Sequence, residues 1–144
     1  MNINSLQDTE KLAAKIAPML NETPILCLYG EIGSGKTTFT KFLAENLGLH
    51  GFKIKSPTYT YIKKYPLNEK HFYHIDLYRI ENMDQLMREE ITEIINDDNN
   101  IVVIEWPNRL TEILPKKRVE LHFKYLQPDS RSIDIILTPT QSEH

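Results

Sequence analysis

Eight residues, Gly30 to Thr37 (GEIGSGKT), constrain this chain more than any other stretch. They fit the pattern G-x-x-x-x-G-K-[ST], a loop that wraps phosphate groups. Gly30, Gly33 and Gly35 have no Cβ and can take the dihedrals that turn successive N–H groups inward. On this reading the amides of Gly33, Ser34, Gly35, Lys36, Thr37 and Thr38 face phosphate oxygens. A helix starting near Lys36 adds the positive end of its dipole. Lys36 reaches the β and γ phosphates as a point charge, and the Thr37 hydroxyl is a Mg²⁺ ligand.

With glycine at about 7% of residues, the fixed positions recur by chance in roughly one chain of this length in 200. The flanks narrow this further. PILCLYG (Pro24 to Gly30) is an apolar strand that runs into the loop. TTFTKFLAENLG places Phe39, Phe42, Leu43 and Leu47 at helical spacing, with Gly48 as a stop signal. Strand, loop and helix in that order predict a nucleoside triphosphate site.

The 144 residues suit one P-loop domain spanning 1–144, with enough chain to bury a core. The N-terminus lacks the basic start and apolar run of a signal peptide, and no apolar stretch is long enough to span a bilayer. Cys27 is the only cysteine, so no disulfide framework exists, and its place in an apolar strand predicts an inert thiol. The expectation is a cytoplasmic protein. A formal charge of −3 argues against an autonomous nucleic-acid binder, though not against a partner that carries the nucleic acid.

In chain order, Asp8 to about Leu20 reads as a helix with Leu12, Ala13, Ile16, Ala17 and Leu20 on one face, its last turn bent or shortened by Pro18. KIKSPTYTYIKKY (Lys53 to Tyr65) and HFYHIDLYRI (His71 to Ile80) flank a turn at Pro66 to Lys70 and predict an antiparallel hairpin or meander. Met83 to Ile95 is helical, with Leu86, Met87, Ile91, Ile94 and Ile95 as its apolar stripe. IVVIEW (Ile101 to Trp106) reads as a parallel central strand covered on both faces. RVELHFKYL and RSIDIIL form a second hairpin across QPDS. The fold class is α/β: a P-loop sheet with a parallel core, antiparallel hairpin additions and helices on both faces.

Two acids stand out. Glu105 ends its strand where a Mg²⁺-holding carboxylate belongs, at the carboxyl edge of the sheet, and its length favours contact through a water; the alternative is a surface glutamate at a strand end. In HFYHIDLYRI, Tyr73, Ile75 and Leu77 alternate with Phe72, His74, Asp76 and Tyr78, the first set being the expected core face. Asp76 then orients or deprotonates an attacking water, joins the Mg²⁺ shell, or forms a structural ion pair with Arg79 or a lysine; all three readings stand. His74 reads as a satisfied sheet histidine. Thr58, in SPTYT, is either a γ-phosphate sensor or a plain strand start. Trp106 either packs on the loop, the plainer reading, or offers an edge for binding a partner.

GEIGSGKTTF, SPTYT, HIDLYRI and IEWPNRL, in this order and spacing, closely resemble the TsaE (YjeE) family of small bacterial ATPases, from the first helix to about Leu110. The resemblance implies a Mg²⁺-dependent ATPase required for threonylcarbamoyladenosine beside the tRNA anticodon. It implies TsaB and TsaD as partners, with tRNA met through that complex. ATP hydrolysis would support turnover of the assembly, while the transferred group comes from an adenylate made by TsaC. By the same resemblance Gly33 to Thr38 hold phosphates, Glu105 is the second Mg²⁺ contact, Asp76 is a required acid and Thr58 a γ-phosphate sensor. Two departures exist. Glu31, Ile32 and Ser34 replace residues of the usual G-D-L-G-A-G-K-T, none a ligand side chain. Asn108 stands where the family has a glutamate in W-P-E-R.

A small nucleotide or metabolite kinase is the rival enzyme, but it needs an acceptor pocket and commonly an arginine-bearing lid. The five arginines here are unclustered. A GTPase would need an N-K-x-D-like segment, which is missing. A switch that uses ATP as a conformational ligand is the non-enzymatic alternative.

Overall fold

The computed structural model describes residues 1–31, 35–49, 61–127 and 130–139. Gly33, Ser34 and Thr58 lie outside them, as does most of the stretch expected to enter the first hairpin. Twelve elements follow in order: β1 (Asn2–Ile3), α1 (Leu6–Ile16), a 3₁₀ turn (Ala17–Asn21), β2 (Ile25–Tyr29), α2 (Lys36–Asn46), β3 (Ile62–Leu67), β4 (Lys70–Asp76), α3 (Gln85–Asn96), β5 (Asn100–Glu105), a second 3₁₀ turn (Pro107–Leu110), β6 (Arg118–Gln127) and β7 (Ser130–Thr138).

The strands form one seven-stranded sheet, ordered β1-β7-β6-β2-β5-β4-β3. β6, β2, β5 and β4 are mutually parallel, whereas β3, β7 and β1 pair antiparallel at the flanks. The expected α/β architecture is therefore present. One detail differs: β6, read as half of an added hairpin, belongs to the parallel core beside β2. Its alternation of polar and apolar residues hid this, because Glu120 and His122 meet polar partners instead of an apolar layer.

Helices cover both faces. Leu12 and Ile16 of α1 and Phe39 and Leu43 of α2 pack on Leu26, Leu28, Val103 and Phe72. Ile91 and Ile95 of α3 pack on Cys27, Val102, Ile104, Ile75 and Leu77 from the other side. Successive strand residues point to opposite faces, so between its polar ends, Asn100 and Glu105, β5 carries apolar side chains on both faces, all of them buried, as are most of those of β2. Each such side chain contributes roughly 1.5–3 kcal/mol relative to exposure.

Local chemistry sets the helix ends. The Ser5 hydroxyl accepts from Asp8 N at 3.2 Å and Asp84 from Met87 N at 2.8 Å, capping α1 and α3. Pro18 lacks an N–H, and the α-helix gives way to the 3₁₀ turn at Ala17, earlier than the apolar stripe suggested. Gly48 leaves α2 at φ 102°, a conformation glycine adopts freely.

Three further expectations are corrected. Pro66 sits within β3, opposite His71, and the turn is Asn68–Glu69; β3 is the sheet edge, where a missing N–H costs no ladder bond. Leu86 is 77% exposed and is not part of the buried stripe of α3. Both faces of β4 are buried, Phe72 and His74 as fully as Ile75 and the following Leu77, because the α1–α2 layer covers one side of the sheet and α3 the other.

Candidate functional site

β2 delivers the loop to the N-terminus of α2. Gly35, the residue before the helix, has φ 100°, and a Cβ built there would meet nothing within 4 Å. Its backbone conformation, not crowding, is what selects glycine. Thr37 and Thr38 follow in the first turn of α2, where the helix dipole favours an anion.

Leu28 on β2 pairs with Glu105 on β5, and Asp76 on β4 pairs with Glu105 from the other side. Both carboxylates thus end parallel strands on the face covered by α2. Lys36 completes the group. It is buried, and its Nζ donates to the Gly30 carbonyl at 2.6 Å. It also lies 4.4 Å from the centroid of the Trp106 ring. Burial pushes the Lys36 pKa down, while the charges of Glu105 and Asp76 raise it.

The Asp76 carboxyl is pushed up, chiefly by burial and further by Glu105; the Tyr78 N–H bond and the charges of His74 and Lys36 work against this. That bond, Tyr78 N to Asp76 Oδ1 at 3.0 Å, closes a short local turn, and Asp76 N donates to Tyr61 O at 2.9 Å. Among the described residues Asp76 forms no ion pair with Arg79 or a lysine. It is held by the backbone and left chemically available.

Glu105 is itself buried and bonded through Oε2 to His74 Nε2 at 2.5 Å, so it is not a surface glutamate. Trp106, directly after it, takes the left-handed conformation at φ 58°, unusual for a bulky residue and more so before a proline. The backbone reversal brings the indole under Lys36 and against Tyr78, with ring centroids 5.1 Å apart. The expected packing of Trp106 on the loop is thereby present, held by a strained backbone of the kind found at binding sites.

A cleft of about 490 Å³ adjoins Gly35 and Thr38 on the opposite flank of the loop. Asn4 and Ser5 from the chain start, and Phe123 and Arg131 from β6 and β7, complete its walls. No segment of the sequence pointed to these residues, because they come together only when β7 pairs with β1.

A parallel sheet whose central strand feeds a glycine loop and a helix N-terminus, with a lysine and two strand-end acids converging on it, is the P-loop α/β class of protein. Comparison with known proteins narrows this. The family model "Threonylcarbamoyl adenosine biosynthesis protein TsaE" matches residues 3–133. The chain is 44% identical over 101 residues to the tRNA threonylcarbamoyladenosine biosynthesis protein TsaE of Borreliella burgdorferi, covering 69% of this chain and 72% of that one. It is 34% identical over 128 residues to the Haemophilus influenzae protein of the same name, covering 88% and 79%. The crystal structure of Bacillus subtilis YdiB superimposes with a TM-score of 0.69 at 27% identity, over 99% of this chain and 87% of that one. The chain belongs to the TsaE family of tRNA threonylcarbamoyladenosine biosynthesis.

Proposed function

We propose that this chain is the ATP-binding and ATP-hydrolysing component of threonylcarbamoyladenosine synthesis on tRNA, acting in the cytoplasm with a TsaB–TsaD complex and supporting its turnover. The observation that carries the reading is the convergence of Lys36, Asp76 and Glu105 at the carboxyl ends of β2, β4 and β5, beside the N-terminus of α2.

The amides of the loop through Thr38 and the Lys36 ammonium bind the triphosphate; a phosphate oxygen offers Lys36 a stronger, charged acceptor than the Gly30 carbonyl. The cleft beyond Thr38 has the size of a ligand pocket and takes the nucleoside. Thr58 acts as the γ-phosphate sensor, a role that the resemblance of SPTYT to the family's motif supports.

Among the described residues no cluster of three or more His, Cys, Asp or Glu side chains could hold a metal alone. Mg²⁺ bound with a nucleotide needs only one or two carboxylates, because phosphate oxygens and water complete its shell. The oxygen donors here, the Thr37 hydroxyl and Glu105, fit that requirement, and the ion would neutralise charge on the β and γ oxygens. Asp76 orients the attacking water and takes its proton, a task helped by a pKa raised above that of an ordinary aspartate.

Phosphate release from ATP should be slow for the protein alone, rise when TsaB and TsaD are added, and vanish in Lys36→Ala. Hydrolysis indifferent to the pair would remove the partner assignment and reopen the kinase alternative. Hydrolysis that survives in Lys36→Ala would displace the site.

A further inference from the structure

Glu105 carries one more rotatable bond than an aspartate, so something must fix its carboxylate if it is to meet a cation in one geometry. His74 does this. β4 and β5 run in parallel with His74 opposite Val103 and Asp76 opposite Glu105, so His74 and Glu105 are diagonal neighbours on one face. Their contact is dry: the two side chains are 0% and 5% exposed. Against an ionised carboxylate Nε2 must donate, which makes the bond charge-assisted and shields it from water.

His74 has no other polar task visible in the structure. Its Nδ1 has no partner among the described residues, leaving Glu105 as its one hydrogen-bond partner there. An imidazole buried completely with one nitrogen unsatisfied costs stability relative to an apolar side chain of similar size. The bond to Glu105 accounts for its presence. It also consumes one oxygen: Oε2 is taken, and among the described residues nothing bonds Oε1.

We propose that His74 is the positioning residue of the metal-holding acid, clamping Oε2 of Glu105 so that Oε1 alone is presented to the divalent cation of the bound nucleotide. The inference rests on the reading of this site as a Mg²⁺–ATP site. Partners of this kind that orient a ligand without touching the metal typically govern its affinity.

The test is Mg²⁺ titration of fluorescent ATP-analogue binding by the whole protein, with binding in EDTA as the reference. His74→Leu, which cannot donate, should weaken apparent Mg²⁺ affinity about 10- to 100-fold while binding in EDTA stays within about twofold. His74→Gln, whose terminal amide reaches the same oxygen, should restore most of the loss. If the leucine variant does not fold, His74→Asn replaces it, since its shorter amide falls short of Oε2. Unchanged Mg²⁺ affinity in a folded Leu or Asn variant overturns the proposal. So does a glutamine variant as impaired as the leucine one, which a purely packing role for the ring would produce. Wild-type binding that ignores Mg²⁺ overturns the metal reading itself, a result seen before any variant is made.

Discussion

β2 has a histidine–glutamate pair on either side of it. On the β5–β4 flank His74 bonds Glu105 at 2.5 Å; on the β6 flank His122 bonds Glu120 at 2.9 Å. The residue types are the same and the outcomes differ. Glu120 has both oxygens used, Oε1 by His122 and Oε2 by Arg118 Nε at 2.8 Å, and Tyr29 stacks on the His122 ring with centroids 4.4 Å apart. It is a closed structural network facing the α3 side of the sheet. Glu105 keeps one oxygen without a partner among the described residues, ends its strand, and faces the α2 side beside Lys36. A histidine–carboxylate pair therefore marks a site only when the acid has unused bonding capacity and lies where a ligand can reach it.

Four experiments break or sharpen this contrast. Asp76→Asn, on the open flank, should cut ATP turnover by about 10²–10⁴ while leaving nucleotide affinity within a few-fold; an equal loss in both would make Asp76 a holder of Mg²⁺ or structure. The same variant should melt higher at neutral pH. The folded pKa lies above the ordinary 3.8, so the ionised acid is disfavoured by folding, and the gain should shrink as pH falls towards 3.8 and both states protonate.

Lys36→Ala should weaken triphosphate binding roughly 100-fold, as expected from losing charge-assisted bonds of about 1.5–3 kcal/mol each. Unchanged affinity by calorimetry would dissolve the open flank as a site. On the closed flank, Glu120→Ala should leave ATP affinity and turnover unaltered. It should lower the melting temperature by several degrees, since about 1 kcal/mol corresponds to ~2–4 °C at this size, and Arg118 loses its partner. A tenfold fall in turnover would show that the two flanks are not independent.

The smallest effect concerns Cys27, which lies between the flanks, opposite Ile104 on one side and Glu120 on the other. Burial pushes its thiol up to about 12 from 9.0. Below pH 9 the thiol is protonated in both states. Above it only the unfolded chain ionises readily, so stability should decline as pH rises from 9 towards 12. Alkylation at pH 8 should be negligible until the protein unfolds; ready labelling would mean that β2 opens locally.

Much of the open flank was legible in the chain. The loop pattern, the strand before it and the acid ending IVVIE each follow from short-range chemistry, and each lies within one element. What was misread depended on neighbours. Phe72 and His74 fell outside the expected core face of β4 because alternation cannot tell a strand covered on one face from one with helices packed on both. Leu86 fitted a helical stripe by spacing, yet the first turn of α3 extends past the apolar layer it would cover.

By itself the sequence determined the phosphate loop, the order and type of most elements, the parallel central strands and the two strand-end acids, because glycine placement, periodicity and apolar runs act through adjacent residues. Only the tertiary structure decided that Glu105 is bonded by His74. It alone placed Trp106 under Lys36, and it alone assembled a cleft from Asn4, Ser5, Phe123 and Arg131. Those arrangements depend on strand order and register, which join residues 30 to 130 positions apart and leave no periodic trace in the chain.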